Sequence, residues 1–183
     1  MKVYHCGFTK IETPDLNIGR DNADLGKGFY LSDDMEFSMR WAKIRHDMEN
    51  IINIYELDLA DLNVKRFERD GEWFSCIAGN RRGEKDLFMG YDVLIAPIAN
   101  DTLFDTFGII TSGILDDEQG LYLLKSGPCY KQIVIKSEKA LSHLKWIGSE
   151  NVDMEKVAVY REKVKEEERS FQEDILSKLQ EME

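Results

Sequence analysis

Histidine and cysteine are both scarce in this chain, at three residues each. His5, His46 and His143 lie far apart and form no HExxH, and Cys6, Cys76 and Cys129 form no CxxC pair. The spacings that build zinc sites or a disulfide framework are therefore missing, and no metal site is expected. A free cysteine is usually a small buried filler, the reading favoured for Cys6, although its place beside a polar segment makes a reactive thiol conceivable. No GxSxG marks a nucleophile elbow, and no GxxxxGK[ST] marks a phosphate loop. No apolar run approaches the roughly 20 residues needed to span a bilayer. The first residues, Met1-Lys2-Val3-Tyr4-His5, enter a strand without the charged region, apolar stretch and cleavage site of a signal peptide, so a cytoplasmic protein is the expectation. Basic residues are outnumbered, 24 Lys and Arg against 35 Asp and Glu, for a net charge of −11. Nucleic acid is held by Lys and Arg neutralising phosphates, so the average field opposes it. The basic positions Arg66, Arg69, Arg81, Arg82 and Lys85 are interrupted by acids, and nucleic-acid binding is not expected.

What is present suits one globular domain with a sizeable core plus an appended element: 183 residues, 43% hydrophobic and 32% charged. Strands are expected over residues 2–5, 29–31, 51–59, 63–67, 91–98, 132–135 and 145–147. The run 91–98 is apolar enough for burial on both faces. Residues 7–27 read as a long loop, which inside a compact domain is usually functional. Ser32 or Asp33 caps a helix that carries Phe37, Trp41 and Ile44 at helical spacing. Further helices are expected over 72–80, 102–110, 116–125 and 137–144. The third is capped by Asp116 or Asp117 and ended by Gly127-Pro128. Strands and helices mixed in this way make an α+β fold over residues 2–150.

Residues 151–183 form an amphipathic carboxy-terminal helix. Val157, Tyr160, Val164, Phe171, Ile175, Leu179 and Met182 share one face, with one break expected near Glu166-Glu167-Glu168. Glu167 and Lys178 interrupt the seam, which argues against a long coiled coil. Packing on its own domain and binding a protein partner both remain open.

Two segments carry the chemistry. Tyr4-His5-Cys6-Gly7 ends the first strand, and Gly7 lets a ligand approach the backbone next to an imidazole that can donate and accept hydrogen bonds. In Gly26-Lys27-Gly28-Phe29-Tyr30-Leu31-Ser32 a glycine-rich turn feeds an aromatic strand. That combination offers close backbone approach and a flat ring for stacking, although an isolated His and a strand Tyr are also ordinary core residues.

These segments resemble the NAD-binding core of ADP-ribosyltransferases, in the subgroup that opens with His rather than Arg. Together with Arg20-Asp21-Asn22-Ala23-Asp24-Leu25 just before the glycine-rich turn, Arg40-Trp41-Ala42, Glu72-Trp73, Asn80-Arg81, the run from Tyr91 to Asp101, Gln132-Ile133 and Lys139-Ala140-Leu141, they look like an uncharacterised bacterial family. Its members read YHGS, then DFGKGFYLT, then a helix with a WA pair; some relatives are toxins or phage-related proteins. The resemblance covers about residues 2–147. It implies a split, mostly antiparallel sheet around an NAD cleft, with NAD as substrate and an unknown acceptor macromolecule. His5 would bond the adenosine-side ribose, Gly7 the nicotinamide carboxamide, and Tyr30 would stack on the nicotinamide. Gly28 would join the cofactor-binding residues, Arg20 and Asn22 would face the diphosphate, and Gln132 stands where transferases place a catalytic Glu. Cys6 and Gln132 both depart from the pattern. Glu138, Asp101 and Asp116 are candidates for the missing carboxylate, each also readable as a cap or a solvated residue. Besides transfer, a non-catalytic NAD or nucleotide sensor and a protein-interaction module working through residues 152–183 fit the same residues.

Overall fold

The computed structural model describes residues 1–42, 48–99, 116–125 and 129–181. Its strands are β1 (Lys2–Gly7), β2 (Phe29–Leu31), β3 (Ile51–Leu57), β4 (Val64–Arg66), β5 (Val93–Pro97), β6 (Lys131–Ile135) and β7 (Leu144–Asn151). Its α-helices are α1 (Met35–Ser38), α2 (Gly71–Arg81), α3 (Asp117–Leu124), α4 (Glu138–Ser142) and α5 (Met154–Glu181), with 3-10 turns at Leu16–Ile18 and Met39–Trp41. The fold is α+β.

The strands form two sheets. One has the order β1-β3-β7 and is antiparallel throughout. The other has the order β2-β6-β5-β4, antiparallel except for the β4–β5 pair. A bridge, Tyr4 to Ser32, joins them.

The four-stranded sheet is the middle layer. Phe29, Leu31, Val93, Ile133 and Ile135 on one face pack with Val3, Tyr55 and Leu57 of the other sheet. Leu94, Ala96 and Val134 on the opposite face pack under Trp73, Phe74 and Ile77 of α2, Leu123 and Leu124 of α3, and Phe171 and Ile175 of α5. Burial on both faces is why residues 93–97 are apolar without alternation. A third cluster unites Cys6, Ala42, Ile52 and Val157. The carboxy-terminal helix thus buries its stripe in the chain's own cores. Burying a side chain such as Phe171 or Ile175 contributes about 1.5–3 kcal/mol.

Several local details differ from the sequence reading. The cap of α1 is Asp34, whose side chain accepts from the Phe37 N–H, while Ser32 remains in the bridge and its hydroxyl accepts from the Asp34 N–H. The α-helical turn ends at Ser38 and tightens to a 3-10 turn through Trp41. Helix α4 stops at Ser142, and β7 runs to Asn151 because the whole length of β3 offers it partners. Helix α5 is continuous through Glu166-Glu167-Glu168: Glu166 pairs with Arg169, and Glu167 is engaged by Tyr130 and Arg40. The helix expected over 102–110, the Gly127-Pro128 stop, and Ile44, His46, Asp101 and Met182 lie outside the described residues.

The long loop is tied down at both ends. Asn53, fully buried, accepts from the Ile11 N–H and donates to the Thr9 carbonyl, and the Tyr55 hydroxyl donates to the Ile11 carbonyl. Further along, Asn80 donates to the Asp24 carbonyl, Lys136 to the Leu25 carbonyl and Tyr30 to the Gly26 carbonyl.

Candidate functional site

The bridge between the sheets is short. Tyr4 and Ser32 exchange both backbone hydrogen bonds, at 2.8 and 3.0 Å, and the ladder stops there. Continuing the register would set Cys6 opposite Tyr30. Instead the strands part, and the His5 imidazole takes over the Tyr30 carbonyl: Nδ1–H donates to it at 2.8 Å. A cleft of about 720 Å³ opens where the strands separate. That size suits a small-molecule site.

The His5 contact fixes its chemistry. A carbonyl only accepts, so Nδ1 carries the proton and Nε2 keeps a lone pair. Burial lowers the imidazole pKa, against a smaller opposing effect of the Tyr30 carbonyl, so the ring is neutral at pH 7. A Cβ at Gly7 would lie 3.5 Å from His5 Nε2, in van der Waals contact with it. Glycine there leaves the acceptor nitrogen uncovered. The adjoining Cys6 thiol lines the same cleft, but burial pushes it up to about 11, which keeps it protonated and unreactive.

Tyr30 presents its ring and withholds its hydroxyl. The hydroxyl donates to the Gly26 carbonyl at 2.7 Å and accepts from the Leu25 N–H at 3.0 Å. Burial, and then the nearby Asp24 charge among lesser causes, raises the phenol pKa. At neutral pH the phenol keeps its proton, and with the hydroxyl committed to loop backbone the ring is the part of the Tyr30 side chain left for the cleft it lines.

Gln132, opposite Ala96 in the sheet, is 5% exposed. Its Nε2 reaches the Pro97 carbonyl at 3.5 Å, an acceptor that also takes the Trp73 indole N–H at 3.0 Å. With the amide nitrogen so directed, Oε1 is the group Gln132 offers a ligand.

Of the other sequence candidates, Arg20 and Asn22 line the cleft with His5, Gly7, Tyr30 and Gln132. Gly28 is outside the lining; a Cβ there would sit 2.6 Å from the Ile135 carbonyl oxygen and from Val134 Cγ1. Its glycine serves the close approach of the turn to β6. Glu138 opens α4, and Asp116 closes a capping box with Gln119, so both are helix-terminal residues away from the cleft. Among the described residues no cluster of His, Cys, Asp or Glu is arranged to hold a metal ion.

The structure adds residues that sequence reasoning had not assigned to the site. Arg40 and Arg81 join Arg20, so among the described residues the lining holds three guanidinium groups against one carboxylate, Asp24. In a chain of net charge −11 this is a local inversion of sign, and such a cleft focuses field on an anionic ligand. Arg81, at the end of α2, contacts Asp24 Oδ1 through both Nε and Nη2 at 2.7 Å. Arg40 lies over the Phe37 and Tyr130 rings and pairs with Glu167 and Glu168 of α5 at 3.8 and 3.7 Å. Trp41 stands edge-on to Phe37 and is 44% exposed at the cleft. The signal for these residues was present: Asp24, Arg40-Trp41 and Arg81 all fall in the segments that carried the resemblance. Elsewhere the basic stretch is dispersed, with Arg82 on Glu84 and Arg69 on the Lys125 carbonyl.

The model of one family matches residues 1–146, which include every described lining residue of the cleft. The chain belongs to DUF3990, a family of proteins of unknown function. No curated protein matches it. Helix α5 lies beyond the matched segment, yet reaches the cleft wall through Arg40. No described helix is long and apolar enough to cross a membrane.

Proposed function

We propose that this DUF3990 protein is an NAD-dependent mono-ADP-ribosyltransferase, cleaving the nicotinamide N-glycosidic bond and passing ADP-ribose to an acceptor macromolecule. The observation that carries the reading is the convergence of His5, Gly7, Tyr30 and Gln132 on one cleft with an excess of guanidinium groups. In this reading His5 Nε2 accepts from a ribose hydroxyl, the Tyr30 ring flanks the nicotinamide, and backbone groups at Gly7 meet its carboxamide. Arg20 and Asn22 face the diphosphate. Holding both halves of the molecule in one orientation lowers the barrier by positioning.

The transition state of glycosidic cleavage resembles an oxocarbenium ion. Gln132 Oε1 can accept a ribose hydroxyl, but it brings no charge, and charge-assisted hydrogen bonds are about twice as strong as neutral ones. One charge-stabilising group is typically worth ~100–1,000-fold in rate, so a site relying on Gln132 alone turns over slowly. That feature favours a second reading, a nucleotide-binding protein on the same fold without turnover.

Calorimetry with NAD and chromatographic detection of free nicotinamide separate the two. Transfer predicts binding, nicotinamide release, and loss of both on His5→Ala. Binding without release, with activity gained on Gln132→Glu, supports the sensor. Absence of NAD binding at millimolar ligand by the folded chain rejects both.

A further inference from the structure

Gln132 leaves the proposed reaction without the carboxylate that a cationic transition state calls for, and Glu138 and Asp116 do not line the cleft. A single carboxylate does: Asp24, among the described residues. Its position is built from several directions. The Asp24 carbonyl accepts from Asn80 Nδ2 at 3.0 Å, and the next residue, Leu25, donates its N–H to the Tyr30 hydroxyl. The loop bearing Asp24 is thus fixed to the residue whose ring walls the cleft. Arg81 engages only Oδ1, and Oδ2 makes no hydrogen bond to any described residue. A guanidinium on one oxygen orients a carboxylate while the other oxygen retains its lone pairs.

We infer that Asp24 supplies the negative charge that Gln132 lacks, stabilising the ribose cation as nicotinamide departs. The inference rests on the reading of the cleft as an NAD site. In the step, the bond from the ribose anomeric carbon to the pyridinium nitrogen breaks, and its electron pair goes to nitrogen, so nicotinamide leaves neutral. The positive charge passes to the ribose carbon and ring oxygen, next to the Asp24 carboxylate. A nucleophile, water in the simplest case, then bonds to that carbon and releases its proton to solvent. No oxidation or reduction occurs. Gln132 holds the hydroxyl, and Asp24 carries the charge. The two functions are divided between β6 and the loop before β2.

The test follows nicotinamide release from NAD in buffer, with water as acceptor, and NAD affinity by calorimetry. It compares the full chain, Asp24→Asn, Gln132→Glu and the double variant. Asn keeps an oxygen for Arg81, so the latch persists while the charge goes. Asp24→Asn is expected to hold NAD within about threefold of the unaltered chain and to release nicotinamide ~100–1,000-fold more slowly. Gln132→Glu should restore at least about tenfold in the Asp24→Asn background and give less than that alone, because the first carboxylate already does the work of the second. A latch without an electrostatic role would not be rescued from position 132.

Unchanged release by Asp24→Asn overturns the inference, as does a fall confined to NAD affinity. Should Asp24→Asn not fold, Gln132→Glu alone decides: a gain above ~100-fold means no carboxylate was serving before. An unaltered chain that binds NAD and releases nothing refutes the role of Asp24 and spares the nucleotide site. Failure to bind NAD refutes both.

Discussion

Replacing Tyr30 by Phe separates the two parts of this side chain. The ring remains against the cleft, and the hydroxyl disappears from between the Leu25 N–H and the Gly26 carbonyl. Leu25 is fully buried and Gly26 is buried beside it, so water cannot replace the lost partner without disturbing the loop. Each buried backbone group left unpaired costs about 1–3 kcal/mol. Lys136 still holds the Leu25 carbonyl at 2.7 Å, and Arg81 still holds Asp24, so part of the loop stays anchored. The sum of the two is about 2–6 kcal/mol, which for a chain of this length lowers the melting temperature by roughly 4–24 °C. Thermal unfolding followed by circular dichroism measures it. NAD affinity should fall several-fold, because residues 20–26 carry Arg20, Asn22 and Asp24, while Tyr30→Leu, which also removes the ring, should fall further. A Tyr30→Phe melting temperature within 1–2 °C of the unaltered chain would show that the hydroxyl does not brace the loop. Equal affinities of the Phe and Leu variants would remove the ring from the site.

Gly28→Ala should destabilise by about 1–3 kcal/mol, since the new methyl meets the Ile135 carbonyl and Val134, and backbone cannot rotate away as a side chain can; chemical denaturation tests this, and a neutral result would mean that the turn stands farther from β6. His5 gives a pH dependence. Its folded pKa lies below the ordinary value of about 6.5, so as pH falls below 6.5 the unfolded chain takes up a proton that the folded chain resists. That contribution to stability is whole above pH 6.5 and shrinks as pH drops toward the folded value. The melting temperature should decline from pH 7 to pH 5 more steeply for the unaltered chain than for His5→Gln, and parallel declines would place His5 in water.

Much of the fold was legible from local pattern. The β-branched run 51–57, the apolar run 93–97, the Ser137 cap and the Asp116 cap report interactions within a few residues or a simple burial on one or both faces. Element limits were less legible where a distant partner sets them: β7 extends because β3 is there to pair, and α5 stays whole because Arg40 and Tyr130 meet its acidic run. Residue type and position drew notice to His5 and Gly7, whereas Tyr30 and Gln132 were singled out by the resemblance to ADP-ribosyltransferases; the cleft lining contains all four.

The sequence alone determined an acidic α+β chain with an imidazole, a glycine and an aromatic ring at the ends of short strands, since those follow from composition and from periodicities of two and 3.6 residues. Only the tertiary structure decided what these groups face. It turned Gly28 toward β6, locked the Tyr30 hydroxyl into the loop, and placed Arg20, Arg40 and the Arg81–Asp24 pair along one cleft. The reason is geometric: a cleft is formed by strands that stop pairing after one bridge, and residues from seven separate segments meet there only once the two sheets and the helices around them have packed.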